Sequence, residues 1–496
     1  MFIDICYTNQ YNVKMNIKKN DIIKLNIESL SSDGAGVARV DGFVVFVKDA
    51  LPSEVVNAKI LKITKNFAHA KIESITIPSP ERVEPECPHY KLCGGCNLMH
   101  MSYEGQLEFK KRIVEDSLLR IGDLNDIAVD GTLGMKDPFY YRNKMSLPVG
   151  KDKEGRVASG FFRSRSHEFV PIKNCCVGDE SFNKVMDVVT AFMNTYNISP
   201  YDESGHIGCV RHIFLRKGSK TDDLLLVIVT RTKNFPRRDE FVSEITAACP
   251  EITGIVQNIN DKRTNLILGE KYITFFGKSY ITDILNGLKF NISPASFYQI
   301  NKHQTDLLYN KVKQLCGLTG NETVFDLYCG TGTISIFLAQ SAKEVIGIEI
   351  VPEAVNNAVE NAELNGVKNA TFLCGDVKEV AGRLYKRGKK ADITVIDPPR
   401  SGSDEATLNA IIGMNPKKII YVSCNPSTLA RDLKYITKNG SYTVKTTAPI
   451  DMFAQTTHVE TVVLLSKIKS TQHIEVEIAL DEMDLTQSES EATMQK

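Results

Sequence analysis

Short apolar runs alternate with turn residues along the first part of the chain, from about residue 16 to residue 75. Asp-Gly pairs at positions 33–34 and 41–42 separate runs rich in β-branched residues, and this dipeptide is typical of tight hairpin turns. Several short strands at this spacing predict a small β-barrel over residues 16–75. The proline-rich stretch at 77–88 then predicts a linker.

Residues 76–290 combine two hydrophobic patterns. The stretch SYEGQLEFKKRIVEDSLLRIG has apolar residues at helical spacing, whereas YRNKMSLPVG, RHIFLRK and DLLLVIVTR have the character of strands. Because the last of these is apolar throughout, we expect it to be a strand in the core. The pattern predicts a mixed α+β central domain.

From residue 291 to residue 468, strands alternate with helices. ETVFDLYCGTGTISIFLA has the pattern of a strand, a glycine turn and a helix, and further apolar runs predict more strands. Such alternation is typical of a doubly wound, mostly parallel α/β sheet. Residues 1–15 are expected to form an N-terminal extension, and the polar, acidic residues 469–496 a disordered tail.

Composition narrows the class of protein. The 496 residues are 42% hydrophobic and 24% charged, and no apolar run is long enough to span a bilayer. Without a recognisable export signal we expect a cytoplasmic protein, whose 12 cysteines are thiols, metal ligands or catalysts and not disulfides. The net charge is zero, but residues 471–496 hold seven acidic side chains and one lysine. The rest of the chain is therefore modestly basic, which is compatible with a polyanionic partner.

The segment DLYCGTGTIS carries the first candidate binding motif. Gly330 and Gly332 lie between a strand and a helix, where the backbone can approach a ligand closely. Glu349 ends the next strand, where an acid binds ribose hydroxyls, and Asp376 ends the following one, where it can meet an adenine amino group. The third glycine of the dinucleotide pattern is replaced by Ser335. Together with the two motifs that follow, these features favour S-adenosylmethionine over a dinucleotide or a purely structural turn.

Two further motifs lie at the ends of strands. Asp397 ends a strand in VIDPPRSG, and Cys424 ends the next strand in YVSCNP, at the same sheet edge as the glycine turn. A cysteine is more often a buried small hydrophobe, but a thiol at a ligand-binding edge predicts a nucleophile. In THVETVVLL, Glu460 interrupts an apolar run. It is either a general base or a surface-facing acid, and its own pattern favours the surface acid.

The segment SPASFYQINKHQ precedes the first helix of the α/β domain. Phe297 is able to stack on a base, and Gln299 is able to hydrogen-bond one. The alternative is a helix N-terminus capped by serine and asparagine side chains.

The segment CPHYKLCGGC places Cys87, Cys93 and Cys96 within ten residues, with a tight glycine turn. This spacing is typical of thiolate ligation, and IKNCC offers a fourth ligand in Cys175 or Cys176. Four thiolates suit zinc and an iron–sulfur cluster equally well. The motif therefore predicts a metal site and leaves the metal open.

The motifs FDLYCGTG, DPPR, SCNP and HVET follow one another along the chain. In this combination the sequence resembles the RNA (uracil-5-)-methyltransferase family, the ribosomal-RNA branch in particular, over about residues 16–468. The resemblance implies that residues 16–75 form a TRAM domain, an oligonucleotide-fold-type barrel that binds RNA. It also implies that residues 291–468 form a Rossmann-like class I methyltransferase domain that uses S-adenosylmethionine.

The resemblance also implies roles for particular residues. It makes Cys424 the nucleophile and Glu460 the base. Thr333 stands after the second glycine, where many members of the family carry asparagine, so its contact with the methyl donor departs from the family pattern. The pocket for the methyl donor and target falls on Gln299, Tyr328, Gly330, Gly332, Thr333, Glu349, Asp376 and Asp397.

For the metal site, the resemblance implies a [4Fe-4S] cluster on Cys87, Cys93, Cys96 and Cys175, with Cys175 favoured over Cys176 by its spacing. Phe297 and Arg142, the latter in YRNK, are candidates to hold the target base or its neighbours. We expect a monomer that acts on 23S rRNA. The alternatives are the same reaction on the T-loop of tRNA, and an RNA-binding or assembly factor without catalysis.

Overall fold

The computed structural model describes residues 17–163 and 166–468. The predicted N-terminal extension and the predicted acidic tail lie outside the described residues. Within the described part of the chain, no helix combines the length and the apolar character needed to cross a membrane.

Residues 22–77 form a six-stranded sheet in the order β1-β5-β6-β4-β3-β2. Asp41 and Gly42 both have positive φ angles, of 48° and 83°, as a tight hairpin turn requires. Buried side chains such as Val45 and Ile60 alternate with more exposed ones and form a separate small core. The strands are β1 (Ile22–Asn26), β2 (Ser29–Leu30), β3 (Gly36–Val40), β4 (Phe43–Lys48), β5 (Val55–Ile63) and β6 (Phe67–Ile77).

The central region contains a seven-stranded sheet in the order β13-β12-β11-β10-β7-β8-β9. Every residue of its strand Leu224–Thr230 is buried, which confirms the core strand predicted from its continuous apolar run. The elements are α1 (Tyr103–Arg120), β7 (Lys144–Lys151), β8 (Val157–Phe162), β9 (Phe169–Pro171), α2 (Glu180–Thr195), β10 (Val210–Lys217), β11 (Leu224–Thr230), α3 (Arg238–Ala248), β12 (Ile252–Ile259) and β13 (Lys271–Gly277).

The last part of the chain begins with a hairpin and continues as an α/β sheet in the order β18-β17-β16-β19-β20-β22-β21. The first five strands in this order are parallel, as predicted, and β22 is antiparallel to both of its neighbours. The elements are β14 (Ile281–Leu285), β15 (Leu288–Ile292), α4 (Lys302–Cys316), β16 (Thr323–Leu327), α5 (Thr333–Ala339), β17 (Glu344–Glu349), α6 (Pro352–Leu364), β18 (Ala370–Cys374), α7 (Val377–Lys386), β19 (Ile393–Ile396), α8 (Glu405–Met414), β20 (Lys418–Ser423), α9 (Pro426–Asn439), β21 (Tyr442–Ile450) and β22 (Glu460–Lys467).

Helix α1 and the β14–β15 hairpin share their hydrophobic cores with the α/β sheet. Val114 of α1 lies in the same buried cluster as Leu429 of α9. Phe290 of the β14–β15 hairpin lies in a cluster with Val324 of β16, and the domain boundary predicted at residue 290 falls inside β15. The central region and the α/β sheet are therefore joined by continuous apolar packing.

Candidate active site and cysteine cavity

The turn between β16 and α5 brings the backbone of the glycine motif to the carboxyl edge of the sheet. Gly330 and Gly332 have φ angles of 54° and 77°, and Tyr328 has an unusual φ of 66° for a residue with a side chain. A Cβ atom at Gly330 would have nothing within 4 Å, whereas one at Gly332 would lie 2.8 Å from the ring of Phe372. Gly332 therefore permits close packing, and Gly330 faces open space where a ligand can reach the backbone.

Glu349, at the end of β17, holds this turn in place. Its carboxylate accepts hydrogen bonds from the backbone N–H of Gly330, at 3.1 Å, and from that of Val351, at 2.9 Å. The side chain predicted to bind ribose thus lies directly beside the glycine turn.

A pocket opens over the turn and brings together five of the predicted residues. The ring of Phe297 is 67% exposed, so it forms part of the rim. Thr333 Oγ1 shares a 2.7 Å hydrogen bond with the hydroxyl of Tyr309, which the sequence analysis did not single out. The pocket is lined by Phe297, Tyr309, Asp326, Tyr328, Cys329, Gly330, Thr331, Thr333, Ile334 and Asp397.

Of the residues predicted for the methyl donor, four lie outside this lining, and so does the predicted catalytic pair: Gln299, Gly332, Glu349, Asp376, Cys424 and Glu460. Gln299 is buried, and its backbone oxygen accepts a 3.0 Å hydrogen bond from Asn143 Nδ2. Asp376 is the N-cap of α7, where its carboxylate accepts a 3.0 Å hydrogen bond from the N–H of Lys378. Gln299 and Asp376 therefore make local backbone contacts and do not line the pocket.

Two carboxyl groups, those of Asp326 and Asp397, line the same pocket. Burial, opposed by hydrogen bonds from Ser335, raises the pKa of Asp326 to about 7. Burial and the charge of Asp326 raise the pKa of Asp397 to about 7 as well. Asp326 was missed because an acid inside a strand gives no pattern of its own; its side chain is covered only once α5 packs above it.

Strand pairing places Cys424 and Glu460 opposite each other. Ser423 of β20 pairs with Thr461 of the antiparallel strand β22. Cys424, which follows Ser423, therefore faces Glu460, which precedes Thr461. Glu460 is only 3% exposed. The surface-facing interpretation of this acid, which its local pattern favoured, is therefore wrong, because the strand begins inside the sheet.

The environment of Cys424 and Glu460 favours the protonated form of each side chain. Burial, followed by the negative charge of Glu460, raises the pKa of the Cys424 thiol to about 11. Burial and the charge of Asp397 raise the pKa of Glu460 well above its usual range. The guanidinium of Arg400 acts in the opposite direction on both groups. Arg400 belongs to the DPPR motif, but its role emerges only once that turn is folded beside β20.

A second cavity gathers all the cysteines of the predicted metal site. It is lined by Cys87, Tyr90, Cys93, Gly95, Cys96, Arg142, Met145, Phe161, Ile172, Asn174, Cys175, Cys176 and Val177. Cys176 lies within hydrogen-bond distance of Cys87, and this contact lowers the pKa of the Cys87 thiol to about 6. Across the described residues, no three His, Cys, Asp or Glu side chains are arranged to hold a single metal ion.

Arg142, a predicted contact of the target base, lies at the cysteine cavity. Its Nε donates to the hydroxyl of Tyr141 at 3.4 Å, and its charge acts on Cys96 and Cys175. The guanidinium thus brings positive charge to a cavity lined with thiols.

Comparison with protein families gives two matches along the chain. Residues 18–72 match the TRAM domain, and residues 269–468 match the tRNA (Uracil-5-)-methyltransferase family. A Bacillus cereus protein named as an uncharacterized RNA methyltransferase is 46% identical over 453 residues, which covers 91% of this chain and 98% of the relative. A Clostridium acetobutylicum protein with the same description is 45% identical over 454 residues and has the same coverage of both chains.

Among solved structures, the chain is similar to the tRNA (uracil-54, C5)-methyltransferase of Pyrococcus abyssi in complex with S-adenosyl-L-homocysteine. The TM-score is 0.72 at 27% identity, and the match covers 89% of this chain and all of the other. The similarity therefore extends through the N-terminal sheet, the central sheet and the α/β sheet together.

Proposed function

This chain belongs to the TRAM-containing RNA (uracil-5-)-methyltransferases, and we propose that it methylates C5 of a specific uridine in 23S rRNA through a covalent adduct with Cys424. The observation that carries the proposal is the strand register that sets Cys424 opposite the buried Glu460, within reach of the charge of Asp397, which lines the pocket over Gly330. A thiol and a carboxylate on opposite strands are what this reaction needs.

S-adenosylmethionine supplies a methyl group bound to a positively charged sulfur. The pocket residues fit this group: Gly330 leaves open space at the backbone, and Glu349 lies beside it. The paired carboxyl groups of Asp326 and Asp397 are raised in pKa by their burial, and a cation nearby favours their ionised forms. This pocket therefore favours a positively charged ligand over a neutral one.

The chemistry uses the two facing side chains in turn. When the thiolate of Cys424 adds to C6 of uracil, electron density moves to C5, which then accepts the methyl group. Glu460 next removes the proton from C5, the C5–H electron pair forms the C5=C6 double bond, and the C6–S bond breaks to return the thiolate. Because the pKa values of both groups are raised in the free protein, both reactive forms depend on positive charge entering the pocket or on Arg400.

The target uridine must leave its stack to reach this pocket. The exposed ring of Phe297 at the rim is positioned to stack on the target base or a neighbouring base. Arg142 is better explained by the charge it brings to the cysteine cavity than by a contact with the base.

For the second cavity we propose a [4Fe-4S] cluster held by Cys87, Cys93, Cys96 and Cys175. The thiol lining of the cavity, which gathers five cysteines, supports a cluster held by thiolates. Protein purified without oxygen should be brown, with broad absorption around 400 nm and iron bound in a ratio of about four per chain. A colourless protein that contains zinc would contradict this assignment.

The proposed RNA target is 23S rRNA, with tRNA as the alternative. The cysteine cluster favours 23S rRNA, while the name of the Pyrococcus abyssi structure makes tRNA the second candidate. Mapping 5-methyluridine in rRNA and tRNA from a strain that lacks the gene decides between them. Loss of the modification from 23S rRNA alone is expected, and its loss from tRNA alone would favour the alternative.

Catalysis itself is tested with RNA that contains 5-fluorouracil at the target position. Fluorine at C5 cannot be removed as a proton, so the active enzyme is expected to remain bound to the RNA covalently. Cys424→Ala should abolish this adduct, whereas Glu460→Gln should retain it. Failure of the wild-type protein to form an adduct on RNA that it binds would instead favour a non-catalytic RNA-binding factor.

A further inference from the structure

The loop between β21 and β22 leads directly to Glu460. It spans residues 451–459, and Asp451, Ala454 and Gln455 within it are 0%, 0% and 3% exposed. Because the loop enters β22 at Glu460, a shift of the loop moves the base that removes the C5 proton. The contacts that hold this loop therefore bear on the last step of the reaction.

The segment immediately after the cysteine motif supplies the first of these contacts. The backbone N–H groups of Asn97 and Leu98 both donate to the backbone oxygen of Gln455, at 3.0 and 3.1 Å. The side chain of Asn97 accepts from the N–H of Thr457 at 3.0 Å and donates to its Oγ1 at 3.3 Å. Asn97 directly follows Cys96, so the cysteine cavity and the loop share one stretch of backbone.

Helix α1 supplies the second set of contacts. Gln106 and Gln455 form a reciprocal pair: Gln106 Nε2 donates to Gln455 Oε1 at 3.0 Å, and the N–H of Gln455 donates to Gln106 Oε1 at 2.9 Å. Lys110 forms a 2.5 Å ion pair with Asp451 in which both side chains are fully buried. Lys110 also donates to the backbone oxygen of Phe453 at 3.1 Å. These groups lie inside the protein, where their partners cannot be replaced by water without cost.

Cys424 is held by different elements. It lies between β20 and α9, and the side chain of Asn425 caps α9 by accepting from the N–H of Ser427 at 3.1 Å. Asn425 Nδ2 also donates to the backbone oxygen of Arg400 at 3.1 Å. The turn that carries the nucleophile therefore has contacts of its own, in addition to the pairing of β20 with β22 that it shares with the base.

We propose that residues 96–110 form a brace that positions Glu460 for proton removal, and that the brace links the base to the occupancy of the cysteine cavity. The inference rests on the proposed function, since it assigns Glu460 the proton from C5. In that step the C5–H bond breaks, its electron pair forms C5=C6, and the C6–S bond breaks with both electrons on sulfur. Loosening the brace slows this release step and leaves attack by Cys424 and methylation largely unchanged.

The test follows a single turnover on unmodified target RNA with Asn97→Ala and Gln106→Ala, and separates methyl transfer from release of the covalent adduct on a denaturing gel. Methylation is expected to stay close to the wild-type rate, while the methylated adduct decays about tenfold more slowly, the ratio that corresponds to losing one or two hydrogen bonds. Asn97→Asp keeps the acceptor for Thr457 and should decay at an intermediate rate. Lys111→Met is the matched control, because Lys111 lies beside Lys110 on α1 but pairs with Glu115 of the same helix and not with the loop.

Release at the control rate in both alanine variants would overturn the brace, and so would an equal loss of methylation and release. Hydrogen exchange gives a readout independent of activity: removing the metal should raise exchange in residues 451–459, and unchanged exchange would refute the link to the cysteine cavity. The wild-type protein with 5-fluorouracil RNA separates the two proposals. If the wild-type protein forms no adduct, the proposed function is contradicted. If it forms a normal adduct and the alanine variants release RNA at the control rate, only the brace is contradicted.

Discussion

Replacing Asp397 by asparagine is expected to stabilise the ligand-free protein above neutral pH while it impairs catalysis. Burial and the neighbouring charge of Asp326 raise the pKa of Asp397 from 3.8 to about 7. Asparagine has nearly the same shape and carries no charge that burial disfavours. The carboxyl group at this position therefore lowers the stability of the free protein in the pH range where the enzyme works.

The direction and size of the effect follow from proton linkage. The pKa of Asp397 is higher in the folded than in the unfolded protein, so the protonated carboxyl group favours the folded state. The free energy of unfolding is therefore unpenalised below about pH 4 and falls as the pH rises toward about 7. At about 1.4 kcal/mol per pKa unit, Asp397 lowers the free energy of unfolding by at most about 4 kcal/mol at pH 8 and about 1.5 kcal/mol at pH 5. Asp397→Asn should therefore gain up to about 2.5 kcal/mol more at pH 8 than at pH 5.

Thermal unfolding of the wild-type and variant proteins at the two pH values measures this difference. The extra gain at pH 8 corresponds to a rise in Tm of about 5–10 °C for a domain of this size. Asp392→Asn is the control at the start of the same strand: hydrogen bonds from Thr323 and Lys417 lower the pKa of Asp392 despite its partial burial, so this variant should lose stability at pH 8. An Asp397→Asn protein that is destabilised equally at both pH values would refute the reasoning.

Three other predictions concern the charges around the site. Arg400→Met should move the pH dependence of adduct formation to higher pH, because it removes the cation that lowers the pKa of Cys424; an unchanged profile would show that Arg400 has no such role. Calorimetry should show S-adenosylmethionine gaining affinity between pH 6 and 8 relative to neutral S-adenosylhomocysteine, because Asp397 ionises near pH 7; equal pH dependence would count against a charged pocket. Lys110→Met should cost about 3–5 kcal/mol in denaturant unfolding by leaving the charge of Asp451 buried without its cation, and adding Asp451→Asn, which removes that charge and keeps an acceptor for Tyr103, should restore part of that loss.

Strand ends were the most informative part of the sequence. Parallel strands bring their carboxyl ends to one edge, so Gly330, Asp397 and Cys424 could be placed together from the apolar runs that precede them. The position of Glu460 opposite Cys424 depends on β22 running antiparallel, which the sequence did not predict; the resemblance implied only that Glu460 is the base.

Contacts between segments that are distant along the chain could not be predicted from the sequence. Arg142 follows a strand-like pattern that does not indicate which cavity its side chain enters. Asp326 acquires its raised pKa only when α5 covers it, and Gln106 meets Gln455 across 349 positions of the chain. Hydrophobic periodicity predicts which face of an element is buried, but not which polar groups meet there.

The most direct measurement of the central claim is tandem mass spectrometry of the adduct formed with S-adenosylmethionine and 5-fluorouracil RNA. After digestion, the peptide that contains Cys424 is expected to carry one nucleotide with an added methyl group, attached through the sulfur. An adduct on any other cysteine, or an unmodified Cys424 peptide from protein that has methylated its RNA, would contradict the account.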